Sequence, residues 1–219
     1  MDWYRIVALC AACYCVLVMG LHFLRLIRLG KPKDLSRKSG SVAKGVAYSN
    51  TAAMMPNQKE SAYMHLPTYA AGIVFHLGIF LSLLLFILLM IPPVEAWLFS
   101  LEWLCALLAA CLCVSTACGF ILFFKRIIKK EMRELSHLDD FVSNLSTTMF
   151  QLFTLLALCY LGGSRCVSTA YYLVCAWLFV YLPAGKLRHV LYYFSARFHL
   201  GFFYGWRNVW PPQKKENHE

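Results

Sequence analysis

Four histidines hold the chemistry this chain offers. His65 and His76 bracket the start of one long apolar segment, and His189 and His199 lie near the end of the last one. The separations are eleven and ten residues. On helices rising about 1.5 Å per residue, each pair spans roughly 15–16 Å along its axis. If the two segments run antiparallel, His65 comes level with His199 and His76 with His189. Two facing imidazoles at each of two levels are what a pair of b-type haems needs as axial ligands.

The elements that must position these rings are membrane helices. The chain has 219 residues, 60% hydrophobic and 15% charged, against about half apolar and a quarter charged in a soluble domain. Its apolar residues come in runs of the length that crosses a bilayer, about 20 residues. The expected fold is an all-α membrane protein: one membrane domain over 1–219, a five-transmembrane-helix bundle. The spans are expected at about 4–26, 66–91, 94–128, 141–161 and 168–194. A basic cytoplasmic loop covers 28–64 and a cytoplasmic tail 205–219. Pro92-Pro93 is expected to end the second span, and Gly162-Gly163 the fourth. The fifth is expected to continue as an interfacial helix to Tyr204. Ser136 and Asp139-Asp140 are start signals for the fourth. Met1 to Arg5 opens almost directly into apolar sequence, which reads as a retained first span rather than a removable leader.

Charge sets the orientation. Of the 21 Lys and Arg residues, only Arg5 and Arg165 fall at one end of the five expected spans. The rest cluster after the first span (Arg25 to Lys59), after the third (Lys125 to Arg133) and toward the C-terminus (Lys186 to Lys215). By the positive-inside rule the N-terminus is outside and the C-terminus cytoplasmic. The second and fifth spans then run antiparallel, as the histidine pairing requires. The net charge of +10 needs no nucleic acid to explain it and suits an acidic cytoplasmic partner or anionic headgroups.

Ionisable groups inside a membrane helix are costly and usually have a functional partner. His76 sits in Gly72-Ile-Val-Phe-His-Leu-Gly78, where the flanking glycines leave room for a flat group or another helix. His189 follows Pro183-Ala-Gly-Lys-Leu-Arg188, and Lys186 and Arg188 are candidates for holding haem propionates. His22 is the rival inner-level histidine; His137 and His218 read as solvated. Eleven residues return close to one helix face, but ten leave about 80° between His189 and His199. A bend or 3₁₀ turn between them is expected to correct this. Nine of the ten cysteines lie inside apolar runs, with Cys166 in a loop, and act as small hydrophobes. Cys10-Ala-Ala-Cys13 lacks the second ligand pair of a zinc site.

Taken together, three strings resemble the gamma subunit of respiratory nitrate reductase. They resemble still more its relatives, the membrane cytochromes of heterodisulfide-reductase-like and sulfite-reduction-associated complexes. The strings are Lys59-Glu-Ser-Ala-Tyr-Met-His-Leu-Pro-Thr-Tyr-Ala-Ala-Gly-Ile-Val-Phe-His-Leu-Gly78, Leu138-Asp-Asp140 and Leu182-Pro-Ala-Gly-Lys-Leu-Arg-His189. The resemblance covers most of the chain and rests on their joint order. It implies a dihaem cytochrome b that exchanges electrons between membrane quinol or quinone and a cytoplasmic iron–sulfur subunit. The location it implies is the prokaryotic cytoplasmic (inner) membrane. It assigns His76 and His189 to the outer haem and His65 and His199 to the inner one. The histidine separation in the fifth span is shorter than in the nitrate reductase pattern.

A quinol at the outer haem needs a proton acceptor. Glu95 and Glu102 lie at the outer end of the third span, and Glu102, in Ser100-Leu-Glu-Trp-Leu, is the better candidate. An interfacial Glu in water beside Trp97 and Trp103 is the plainer reading. Asp139 and Asp140 read as cap residues. The basic loop suits partner docking or a topogenic role. Two other classes remain open, a haem-free polytopic scaffold or assembly subunit and a small transporter, though transporters tend to show repeats or matched broken helices.

Overall fold

The computed structural model describes residues 2–30, 33–58, 60–160 and 164–212. Its helices, in order, are α1 (Trp3–Arg28), α2 (Val42–Asn50), α3 (Glu60–Met64), α4 (Leu66–Leu89), α5 (Pro92–Ser100), α6 (Glu102–Ile128), α7 (Lys130–Glu134), α8 (Leu138–Tyr160), α9 (Arg165–Tyr181) and α10 (His189–Trp206). Short 3₁₀ turns occupy Ala52–Met54, Pro56–Gln58 and Lys186–Arg188. No strand occurs among the described residues. Helices α1, α4, α6 and α8 are each long and apolar enough to cross a membrane, and a fifth crossing results if α9 and Lys186–Trp206 form one broken span.

Two expected spans differ from the structure. Pro92-Pro93 starts a helix of its own as well as following one, because the fixed proline φ and missing N–H suit a first turn. Pro92 opens α5, and Leu101 separates α5 from α6, so 94–128 is not a single helix. The segment 168–194 is likewise not continuous. It breaks after Tyr181, passes through Leu182–Gly185 and the 3₁₀ turn, and resumes at His189. The expected stop at Gly162-Gly163 lies outside the described residues, as do Lys31, Lys59, Lys214, Lys215 and His218.

The chain groups into two compact units. One comprises residues 1–18 and 66–187, the other 19–65 and 188–219. In the first, α8 packs against α4, α6 and α9, and α4 against α6. Its core contains Leu85 and Leu89 of α4, Leu112 of α6, Phe150 of α8 and Tyr171 and Leu178 of α9, all at 2% exposure or less. Outward-facing Phe80, Leu84, Ile87, Val114 and Ile121 are exposed, the pattern of helices whose outer faces meet lipid.

A polar seam runs along α8 inside this unit. The Ser115 hydroxyl donates to Gln151 Oε1, and Gln151 Nε2 donates to the Phe75 carbonyl at 3.1 Å. Thr148 donates to Asn144 Oδ1 at 3.2 Å, and Trp177 Nε1 to Ser146 Oγ at 3.0 Å. Two glycines permit these contacts. A side chain at Gly78 would collide with Ser115 and Gln151, and one at Gly119 would meet Phe75 and Thr148 at 2.7 Å. At the start of α8, Asp140 accepts from the His137 backbone N–H at 3.1 Å, reciprocal capping of the kind its sequence position predicts. Ser136 donates to Met132 O instead.

The second unit is built by α2 lying on α10. Their backbones meet at glycines. A Cβ on Gly201 would sit 2.5 Å from Val46 Cα, and one on Gly205 2.8 Å from the Ser41 carbonyl. Around this crossing, Ser49 Oγ donates to Arg197 O at 2.7 Å while Arg197 Nε donates to Ser49 O at 2.8 Å. Trp206 Nε1 donates to Ser36 O at 2.8 Å, and Arg207 pairs with Asp34. Asn208, at φ 56°, stops α10. The Val209 N–H reaches back to Tyr204 O at 2.9 Å, closing the left-handed helix cap that Asn tolerates.

Candidate functional site

His76 lies in the third turn of the Leu66–Leu89 helix, on an exposed face. Its Nδ1 is 2.7 Å from the Gly72 carbonyl oxygen of its own helix. A carbonyl only accepts, so Nδ1 carries the ring proton. In the neutral ring Nε2 then holds the lone pair, the tautomer in which imidazole ligates a metal through Nε2. Gly72, one turn below on the same face, is open: a Cβ there would meet nothing within 4 Å. The expected room beside His76 is thus found on the Gly72 side alone. Gly78 is consumed by the contact with Ser115 and Gln151.

His65 is exposed in the single-residue turn between α3 and α4. His189 is the first residue of α10, directly after the 3₁₀ turn, and is exposed. His199 is exposed on the same helix and lines a cavity of about 620 Å³. Phe23, Leu26 and Ile27 of α1 and Phe194 and Phe198 of α10 form most of the apolar wall. Helix α10 is unbroken from His189 to Trp206. The expected correction between His189 and His199 is therefore absent, and their offset of about 80° stands. The irregularity sits at Lys186–Arg188 instead, because Pro183 and Gly185 break the helix before His189. His65, His189 and His199 belong to the unit of residues 19–65 and 188–219, and His76 to the other.

His22 is half-buried, with Nδ1 3.2 Å from Tyr192 Oη. His137 is exposed. No three His, Cys, Asp or Glu side chains converge as a single-ion site among the described residues.

The carboxylates sit in different environments. Glu102 is the exposed first residue of α6. Glu95, on α5, is paired with Arg5 at 2.7 Å, each side chain 15% exposed. The Arg5 guanidinium also lies 5.2 Å from the Tyr172 ring centroid, and Tyr172 Oη donates to Leu89 O at 3.0 Å. Asp140 accepts from Lys186 at 2.5 Å and faces Arg126 at 3.4 Å, while Asp139 accepts from Tyr181 Oη. Arg188 is exposed. Outside the apolar helices, Asp34 accepts from the Ser36 backbone N–H at 3.0 Å and its hydroxyl at 2.8 Å. These bonds, with Arg207 beside it, hold its carboxyl below the usual carboxylate range.

Three features escaped the reading of the sequence: the Arg5–Glu95 pair, the His199 cavity and the glycine crossing. The last has a visible signal, Gly201-Phe-Phe-Tyr-Gly205, a spacing that lets helices approach closely. No family model, curated protein or solved structure matches the chain.

Proposed function

We propose that this chain is the dihaem cytochrome b membrane subunit of a respiratory redox complex, of the kind built around nitrate reductase gamma subunits and their heterodisulfide-reductase-like relatives. It passes electrons between membrane quinol or quinone and a cytoplasmic iron–sulfur subunit, in the prokaryotic inner membrane. His65, His76, His189 and His199 would hold two b haems, which would supply one-electron transfer. The observation that carries this reading is the state of His76: a lone pair at Nε2, fixed by the Gly72 carbonyl, on an open face of a helix long enough to cross a bilayer.

The residues present fit such a group. The cavity beside His199 falls within the roughly 300–1,000 Å³ of small-molecule and cofactor sites, and its wall is largely aromatic and aliphatic. Haem supplies one-electron chemistry; the chain supplies ligation, orientation and exclusion of water. The Nδ1–H bond to Gly72 O fixes the His76 tautomer and raises its basicity as a ligand. Arg188, exposed next to His189, suits a propionate, and Lys186, bridged to Asp140, suits one at the same break. Glu102 is available as proton acceptor for a quinol, since Glu95 already serves Arg5. With the N-terminus outside, protons taken up by Glu102 leave on the outer side.

The test is a visible spectrum of the purified protein before and after dithionite, followed by His→Ala changes at each of the four positions. Reduced b-type bands that diminish in His76→Ala support the assignment. A colourless protein refutes it.

A further inference from the structure

A polar pair, His22 and Tyr192, flanks one end of the cavity beside His199. On α1, His22 stands one turn before Leu26 and next to Phe23, both of which line the cavity. On α10, Tyr192 stands one turn before Ser195 and two before His199, which also line it. Residues one or two turns apart share a helix face. His22 Nδ1 and Tyr192 Oη are 3.2 Å apart, and their rings meet edge to face at 6.2 Å. The pair therefore joins α1 to α10 beside Phe23 and Leu191, the first cavity-lining residues on each helix.

This pair keeps a hydrogen to spare. If Tyr192 donates to Nδ1, the imidazole carries its proton on Nε2 and can donate from there. If Nδ1 donates to Tyr192, the phenolic hydrogen is free instead. In either tautomer one N–H or O–H remains beyond the mutual bond. An apolar cavity with one donor at its end, and an imidazole on its wall, is shaped for a large apolar ligand with a polar edge.

We propose that His22 and Tyr192 form the polar clasp of this cavity, donating a hydrogen bond to a carboxylate on the edge of the macrocycle whose iron His199 ligates. This rests on the haem reading above. His22 is thereby a positioning residue, not an axial ligand. A donor on a propionate neutralises part of its negative charge, so its loss leaves the nearby iron harder to reduce.

The experiment is a redox titration of the purified full-length chain, followed in the visible spectrum, with haem counted in parallel. His22→Phe is expected to keep both haems and lower the midpoint of one of them, with at least a threefold change in its reduction equilibrium. Tyr192→Phe is expected to shift the same haem in the same direction by less. His22→Gln, which retains a donor, is expected to return toward wild type. A merely structural contact would lower thermal stability without this pattern. Unchanged midpoints in both Phe variants overturn the proposal. So does loss of one haem in His22→Phe with haem retained in His199→Ala, which makes His22 the axial ligand. If His22→Phe does not fold, Tyr192→Phe and His22→Gln decide. Wild-type protein without haem overturns the haem reading itself and this proposal with it.

Discussion

The two units hold their helices together in different ways. For α4, α6 and α8, each long and apolar enough to cross a membrane, apolar burial would offer little in lipid, because lipid tails are as apolar as leucine. The unit of α4, α6, α8 and α9 answers with hydroxyls and an amide: Ser115, Gln151, Asn144 and Thr148 tie the helices together through a seam inside the core. The unit of α2 and α10 answers with bare backbone, Gly45, Gly201 and Gly205 letting two helices touch. The first is held by bonds that can be cut singly. The second is held by a shape that one methyl group spoils.

Substitutions should separate these modes. The largest effect is expected at the glycine crossing. Gly201→Val places atoms against Val46 Cα and the Gly45 carbonyl, backbone that cannot swing aside, and overpacking of this kind costs about 3 kcal/mol. Thermal unfolding of the detergent-solubilised protein, together with labelling of a cysteine placed at Ala47, should show α2 released. Gly72→Ala is the matched control and should leave α2 in place, because the added methyl group meets nothing within 4 Å.

A smaller loss is expected in the polar seam. Gln151→Leu removes the bond to Phe75 O and leaves the Ser115 hydroxyl to its weaker contact with the Val74 carbonyl at 3.2 Å. Membrane hydrogen bonds of this type are worth about 0.6–1.7 kcal/mol. An equal or larger loss than in Gly201→Val would erase the distinction between the two units.

Arg5→Ala tests the ion pair with Glu95, whose partners are mostly buried. Leaving that carboxylate unpaired is expected to cost about 1–2 kcal/mol, largely recovered by the double change Arg5→Ala with Glu95→Gln. The readout is the unfolding midpoint of the three variants.

The smallest effect concerns Asp34 and depends on pH. Its folded pKa lies below the unfolded one, so its contribution is present above about pH 4 and is lost as pH falls through the lowered folded value. Tryptic cleavage is unsuited to acid, so the measure is Trp206 fluorescence, since the indole donates to Ser36 O two residues from Asp34. Wild type should show a transition below pH 4 that Asp34→Asn lacks.

Much of this architecture could be read from residue order. The apolar runs marked α1, α4 and α8 to within a few residues, and the end of α6 but not its start, because length and hydropathy set the extent of an apolar helix but not its breaks. The breaks were harder. Pro92-Pro93 is equally good at ending one helix and starting another. Pro183 and Gly185 interrupt an apolar run that hydropathy alone reads as continuous. The seam of α8 was visible as Ser143, Thr147, Gln151 and Thr154 at helical spacing, though which helix each would face is a matter of packing. Glu95 and Arg5 lie 90 residues apart, and no local pattern announces such a pair. Of the candidate site, the histidine positions and the length and apolarity of the helices near them were legible. The Nδ1 proton of His76, set by a carbonyl four residues earlier, and the cavity at His199 required coordinates.

The central claim is that this chain binds two b-type haems, and a pyridine haemochrome assay on the purified full-length protein tests it most directly. The account predicts close to two haems per chain in the wild type, falling toward one in His76→Ala. A wild-type protein with no haem, or a His76→Ala variant with the full count, contradicts it.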